Sequence, residues 1–280
     1  MSLDISIKQK FPYFKALPFE LIVGDELRYG SYEMMSLKIG AVGEGEFLLL
    51  HPKHIGRGFS VIWNENEKRR IDIRLPSPST RFEIADVYRC VERIASYWSC
   101  DIEVNGEKVS LEDFRAGYKG MVEFEERTLD YMCGKLIDGS NDSFTLFSAR
   151  WPLTISKSEA EQFSGNPVNY AEWLHKMQDI DAEYAEPLLY ETDEGIIGRY
   201  IFADGISMIL PKKPWLPPAA EGNGKCEKWI VSVFDSLAGE QLFDIEYCEF
   251  FAKIEKHCEP YDCDHIICKK LTLEEAKELE

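Results

Sequence analysis

Residues 80–98 read TRFEIADVYRCVERIASYW, and this stretch decides the fold of the first half of the chain. Thr80 followed by Glu83 is a capping box, in which a hydroxyl and a carboxylate satisfy two free amides at the start of a helix. The apolar residues that follow recur at spacings of three and four, which predicts one continuous stripe along a long amphipathic helix. That stripe consists of Ile84, Val87, Tyr88, Val91, Ile94, Ala95 and Trp98.

Strand patterns lie on both sides of this helix. Apolar residues alternate with polar ones over 59–63 and 71–75, and a short Asn-rich turn at 64–68 joins the two runs. β-branched and aromatic residues at period two are typical of half-buried strands, so the two runs predict an antiparallel hairpin. Similar alternation predicts strands at 3–7 and 102–104.

The second half contains a weaker version of the same order of motifs. Five short motifs recur 135 to 162 residues later, which favours an internal duplication, with a hairpin copy over 188–210 and a helix copy over 225–237. Ordinary β-rich patterning without duplication is the alternative. The motifs begin at Leu49, Ile55, Ile71, Asp101 and Lys108 in the first half, and at Leu188, Ile197, Ile206, Asp244 and Lys270 in the second.

These patterns predict an α+β protein of two related units, 1–139 and 140–280. Each unit is expected to pack an antiparallel sheet against its long amphipathic helix. The boundary falls in the most loop-like stretch, residues 138–143. A chain of 280 residues with 45% hydrophobic residues suits one or two globular domains with a large core.

The net charge of −18 is unevenly shared between the halves. Residues 1–140 hold 19 Lys and Arg against 23 Asp and Glu, whereas residues 141–280 hold 13 against 27. Nucleic acids and anionic membranes need a basic surface, so neither is expected as a partner. Solubility is the ordinary role of such acidity, and a cationic protein partner for the second half is the more specific alternative.

The location of the protein is predicted from what the sequence lacks. No stretch approaches the roughly 18 apolar residues of a membrane span, and the N-terminus has no secretory signal pattern. A cytoplasmic location is therefore expected. The eight cysteines are expected to be free thiols in that reducing compartment.

Four residues near the C-terminus could bind zinc. Cys258, Cys263, His265 and Cys268 lie close together, with His257 beside them, and thiolates and imidazoles suit tetrahedral zinc. Their Cys-x4-Cys-x4-Cys spacing differs from the usual paired Cys-x2-Cys, and the adjoining Ile-Ile pair is typical of a core strand. Ordinary buried thiols are therefore the alternative.

Three residues of one turn are candidates for catalysis. His51 and His54 are three residues apart and could share acid–base work or bind a metal, although solvated loop histidines are the simpler interpretation. Arg57 and Arg199 occupy equivalent places in the two motif series. We expect them to form ion pairs with nearby acids, or alternatively to line a groove that binds an anion.

The segments Gly24–Glu33 and His51–Gly58 together give a resemblance to a known family. They are similar to a family of bacterial proteins characterised only as a domain of unknown function. The resemblance implies a soluble bacterial protein of about this length, and it brings no activity or catalytic residues.

Motifs for common cofactors do not occur in the sequence. It has no Gly-x-Gly-x-x-Gly, P-loop or Gly-x-Ser-x-Gly motif, so no cofactor is expected. The sequence thus predicts a non-catalytic protein that binds a protein partner through its acidic second half. The alternatives are an enzyme with a site in the cleft between the halves, using His51, His54 and Arg57, and a zinc-stabilised module at residues 258–268.

Overall fold

The chain adopts an α+β fold in which helices accompany mainly antiparallel sheets. It divides into two compact units, Met1–Asp179 and Ile180–Glu280, so the division lies well beyond the predicted boundary at residue 139. The Asn-rich turn predicted at 64–68 lies outside the described residues. The computed structural model describes residues 2–10, 12, 14–42, 45–63, 69–192, 195–216 and 226–280.

The first unit contains ten strands and six helices within its described residues. They are β1 (Ser2–Lys8), α1 (Phe19–Val23), β2 (Arg28–Glu33), β3 (Ser36–Ile39), β4 (Glu46–Leu50), β5 (Phe59–Ile62), β6 (Arg70–Pro76), α2 (Arg81–Trp98), β7 (Ile102–Val104), β8 (Glu107–Val109), α3 (Leu111–Ala116), α4 (Tyr118–Ile137), β9 (Ser143–Phe147), β10 (Pro152–Ser156), α5 (Lys157–Phe163) and α6 (Pro167–Gln178).

Eight of these strands form one antiparallel sheet in the order β3-β2-β4-β5-β6-β1-β7-β8. The predicted pairing of β5 with β6 is confirmed, and so is the predicted first strand. β1 lies inside the sheet, where Ile5 is paired with Ile73 on one side and with Val104 on the other. β9 and β10 form a separate two-stranded hairpin.

Helix α2 forms as predicted. Its capping box is complete, since the Thr80 hydroxyl accepts from the Glu83 amide and the Glu83 carboxylate accepts from the Thr80 amide. The apolar stripe of the helix shares one core with the strand residues on one face of the large sheet. Ile84, Val91 and Ile94 on the helix are no more than 1% exposed. This burial accounts for the long three- and four-residue periodicity of the segment.

The opposite face of the sheet carries a smaller apolar cluster. Leu48 and Leu50 pack there with Ile55 and Ala149. Strand β4 is therefore buried on both faces, which explains why its apolar residues run without alternation.

Besides a short 3₁₀ helix (Glu255–His257), the second unit contains eight strands and two α-helices within its described residues. They are β11 (Glu183–Tyr184), β12 (Leu188–Thr192), β13 (Gly195–Ala203), β14 (Met208–Pro211), β15 (Cys226–Asp235), β16 (Glu240–Glu246), α7 (Tyr247–Ile254), β17 (Cys258–Pro260), β18 (His265–Cys268) and α8 (Leu273–Lys277). The strands form two sheets, in the orders β12-β13-β15-β16 and β11-β14-β18-β17.

The helix predicted over 225–237 is wrong, because this segment forms strand β15. Trp229, Ile230, Val233 and Phe234 fit a helical spacing, but the β-branched residues among them also favour a strand. β15 lies between β13 and β16, and its Val231 and Val233 are fully buried. Pairing with a neighbouring strand on each side decides for the strand.

The hairpin predicted over 188–210 does not form as a copy of the β5–β6 hairpin, because β13 and β14, which would be its two strands, lie in different sheets. β12 pairs with β13, but β13 then pairs in parallel with β15, and β14 pairs with β18 in the other sheet. Because α2 has no helical counterpart at 225–237, these elements give no support to the predicted duplication. Within the described residues, none of the helices combines the length and apolar character needed to cross a membrane.

Candidate functional site

A cleft of about 390 Å³ lies in the first unit, on the sheet face that carries Leu48. Its floor comes from three strands, because the antiparallel register places Leu48 opposite Ser60 and Ser60 opposite Arg74. The remaining lining comes from the β2–β3 hairpin, the Arg57 loop, the end of β6 and the β9–β10 hairpin. These residues are Tyr32, Met34, Met35, Arg57, Pro76, Phe147, Ser148, Trp151 and Pro152.

Arg57 is fixed at the cleft by backbone carbonyl groups. Its Nη1 donates to the Ser77 carbonyl at 2.6 Å, and its Nε donates to the Phe147 carbonyl at 3.2 Å. Among the described residues, no carboxylate lies within ion-pair distance of its guanidinium, so the predicted ion pair does not form there. A guanidinium has five N–H donors, and the two carbonyls use two of them. Arg57 therefore presents a positive charge with donors left for a ligand.

Glu83 holds the loop that carries Arg57. Its Oε1 accepts from the Arg57 amide at 2.6 Å and from the Gly58 amide at 2.7 Å, while its Oε2 accepts from the Thr80 amide at 2.8 Å. Burial raises the pKa of Glu83 above its usual value, and these backbone donors oppose the rise. One carboxylate thus caps α2 and positions the arginine.

Tyr32 joins two walls of the cleft. Its hydroxyl lies 3.0 Å from the carbonyl oxygen of Ala149 and 3.2 Å from that of Ser148. The Tyr32 side chain is 46% exposed, but desolvation of its hydroxyl raises the pKa of that group, which therefore stays protonated and donates. The adjacent Ser148 hydroxyl is buried without a hydrogen-bond partner among the described residues.

Arg74 adds a second positive charge to the lining, but this charge is compensated. Its Nε lies 2.7 Å from Oδ1 of Asp4, and the hydrogen bond raises the pKa of Arg74. The cleft therefore has apolar walls and two arginines. Arg74 forms an ion pair, whereas Arg57 forms none with the carboxylates of the described residues.

The structure separates the predicted catalytic residues. His54 stacks on Phe82 at a centroid distance of 4.2 Å, and His51 lies 5.1 Å from His54, but neither histidine lines the described cleft. Burial, followed by the positive charge of His51 and His175, lowers the pKa of His54. Arg57 is the only predicted catalytic residue within the described lining.

Arg199 lies in the second unit and does form the expected ion pair. Its Nη2 is 3.5 Å from Oδ2 of Asp244, and its guanidinium lies over the ring of Tyr190. Arg57 and Arg199 therefore have different surroundings, and the equivalent roles suggested by the two motif series do not hold.

The proposed zinc ligands are not gathered around one point. His265 uses Nδ1 with Asp262 at 2.8 Å and Nε2 with Tyr184 at 3.0 Å. Cys258 and Cys268 form a pair of their own across strands β17 and β18. In the described part of the chain, no three His, Cys, Asp or Glu side chains are placed to share a metal ion.

Sequence patterns did not identify the walls of the cleft. Tyr32, Phe147 and Trp151 come from separate segments and meet only through the tertiary fold. The one local signal was the aromatic loop at 24–33, which contains Tyr32.

Comparisons with known proteins identify a family but no activity. Neither the curated proteins nor the solved structures gave a significant match. A family model described as "Domain of unknown function (DUF4299)" matches residues 2–279. The chain therefore belongs to this family.

Proposed function

We propose that this protein is a non-catalytic binding protein whose cleft in the first unit takes an apolar or aromatic group bearing one anionic substituent. The observation that supports it is the Arg57 guanidinium, held by two carbonyls at an apolar cleft with no carboxylate paired to it among the described residues. Arg57 is attracted at longer range to the buried Glu125 carboxylate, and an oxyanion in the cleft would add direct charge-assisted hydrogen bonds to the remaining guanidinium donors. Apolar walls with a few fixed polar groups are typical of ligand sites.

The lining favours binding over catalysis. Within the described residues the lining has the hydroxyls of Tyr32, Ser60 and Ser148, but no histidine, carboxylate, cysteine or lysine that could activate them as a general base. The enzyme alternative would need His51 and His54 to act at the cleft together with Arg57. A bacterial, cytoplasmic setting remains part of the proposal.

Naphthalene-1-sulfonate is a suitable probe, with 1-naphthalenemethanol as its uncharged counterpart. Binding can be followed by NMR of ¹³C-methyl methionine, because Met34 and Met35 line the cleft and Met→Leu variants assign their signals. We expect the sulfonate to shift these two signals and to bind at least tenfold more tightly than the alcohol.

Arg57→Met should abolish the preference for the anion, whereas Arg127→Met, an exposed arginine outside the described lining, should retain it. Ser60→Glu provides a second variant, since it places a carboxylate in the cleft and leaves Arg57 unchanged; it should also weaken sulfonate binding. Equal binding of both probes by the natural protein, or an unchanged preference in folded Arg57→Met, would refute the proposal.

The acidity of the second unit supports a second proposal, binding of a cationic protein partner. Residues 180–280 hold 22 Asp and Glu against 10 Lys and Arg. A decalysine peptide should bind the protein, and its affinity should fall steeply between about 50 and 300 mM salt. Exposed charges are screened by salt, and the Debye screening length is about 10 Å at 0.1 M. A salt-independent affinity would contradict this proposal.

A further inference from the structure

The geometry points to Cys258 and Cys268 as a reversible disulfide site, closed by exchange with a low-molecular-weight disulfide such as glutathione disulfide. Both residues are free thiols in this structure. They belong to neighbouring strands of one sheet and are direct partners in its register. The inference is independent of the cleft in the first unit.

The position of the pair within the ladder suits a disulfide. The Lys269 amide donates to the His257 carbonyl at 3.3 Å, and the Tyr261 amide donates to the His265 carbonyl at 3.1 Å. Hydrogen-bonded and non-hydrogen-bonded pairs alternate in an antiparallel ladder, so Cys258 and Cys268 form a non-hydrogen-bonded pair. Cα atoms of such pairs are about 4.5 Å apart, within the ~4.4–6.8 Å range of disulfides.

The two sulfurs already interact and differ in their surroundings. Cys258 is partly exposed on β17, the edge strand, whereas Cys268 is buried on β18. The neighbouring Cys268 thiol lowers the pKa of Cys258, and the same contact together with burial raises the pKa of Cys268. Each thiol also donates to a backbone carbonyl at 3.3 Å, Cys258 to Ile254 and Cys268 to Lys269. Cys258 is therefore the attacking thiolate and Cys268 the resolving thiol.

The exchange runs in two balanced steps. The Cys258 thiolate attacks one sulfur of glutathione disulfide, forming a mixed disulfide and releasing one glutathione thiolate, which takes up a proton. Cys268 then loses its proton and attacks the Cys258 sulfur, and the second glutathione leaves as a thiol. Two protein thiols are oxidised to one disulfide while glutathione disulfide is reduced to two glutathione molecules.

The test is native incubation of the whole protein with glutathione disulfide, followed by alkylation of the remaining thiols and mass spectrometry. Cleavage before Asp262 and Asp264 separates Cys258, Cys263 and Cys268 into different peptides. We expect a linked Cys258–Cys268 pair, loss of two of the eight alkylatable thiols, and reversal by dithiothreitol.

Two variants and a control sharpen this test. Cys268→Ser should accumulate the mixed disulfide on Cys258, and Cys258→Ser should give no disulfide at Cys268, while Cys248→Ser, which changes an exposed cysteine, should still form the pair. A linkage to Cys263 instead, or no linkage in protein with an unchanged near-UV spectrum, would overturn the inference.

Discussion

Gly56 lies against the carboxylate of Glu83, and a Cβ built on it would come within 2.6 Å of the Glu83 carboxyl carbon. Glu83 has little freedom to move away, because three backbone amides donate to its carboxylate. The tight contact joins the loop that carries Arg57 to the beginning of α2. Position 56 therefore requires glycine because of packing rather than backbone conformation.

Gly56→Ala should lower the free energy of unfolding by about 1–3 kcal/mol, the usual cost of forcing a methyl group into a packed site. Chemical denaturation would measure it. Gly120→Ala is the matched control, since no atom beyond its chain neighbours and the adjacent backbone of α4 lies within 4 Å of its Cβ position; it should be neutral or stabilising by up to ~1 kcal/mol. Similar changes in unfolding free energy for the two variants would show that the Glu83 carboxylate can move to make room for the added methyl group.

Tyr32→Phe should weaken the attachment of the β9–β10 hairpin to the large sheet. The change removes the hydroxyl that contacts the carbonyls of Ser148 and Ala149, so we expect a loss of about 1 kcal/mol in unfolding free energy. Exchange of the backbone amide hydrogens with solvent should also become faster at residues 147–152. Tyr131→Phe, at a side chain that is 69% exposed, should change neither measurement.

The stability of the protein should fall in mild acid partly through His54. Its folded-state pKa lies below the ordinary value of 6.5, so the unfolded chain takes up a proton first as the pH falls. The contribution of neutral His54 is therefore present above about pH 6.5 and is lost as the pH falls through the folded pKa.

NMR titration of the His54 ring and unfolding curves between pH 5 and 8 would check this sign. His54→Gln should flatten the acid side of the stability profile, and His257→Gln serves as the control. A ring that titrates above 6.5 would contradict the expectation.

Tyr184→Phe should destabilise the second unit. Asp262 accepts, so Nδ1 of His265 carries a proton, and in the neutral imidazole Nε2 then accepts from the Tyr184 hydroxyl. Loss of that hydroxyl leaves a buried ring nitrogen without a hydrogen-bond partner. We expect the free energy of unfolding, measured by chemical denaturation, to fall by about 1–3 kcal/mol. Tyr190→Phe, at a side chain that is 47% exposed, should stay within about 0.5 kcal/mol of the natural protein. Equal losses in both variants would count against this tautomer.

Local signals identified α2 correctly because its capping box and its stripe agree. The same spacing rule failed at residues 229–234, where β-branched residues allow either structure and the pairing with β13 and β16 decides. That pairing joins segments that are distant in the sequence, and periodicity does not contain this information.

The candidate site was identified only through Arg57. Arg57 is predicted from a motif that it shares with Arg199. Its position at the cleft, however, depends on a hydrogen bond to the carbonyl of Phe147, which is ninety residues away in the sequence. His51 and His54 are predicted together because they are close in sequence, but His54 stacks on Phe82 and His51 lies beside His54, so neither reaches the described cleft lining. Ring contacts of this kind depend on where α2 begins, which the turn itself does not encode.

The interior position of β1 has a consequence for biosynthesis. Its partners β6 and β7 follow it by about 70 and 100 residues, so the first strand leaves the ribosome long before either neighbour exists. At a synthesis rate of about 5–20 residues per second, β1 remains unpaired for at least ~3 s, with its apolar residues Leu3, Ile5 and Ile7 exposed. During this interval the nascent chain carries an apolar segment that a chaperone could bind, and the large sheet can close only when the segment after α2 has emerged.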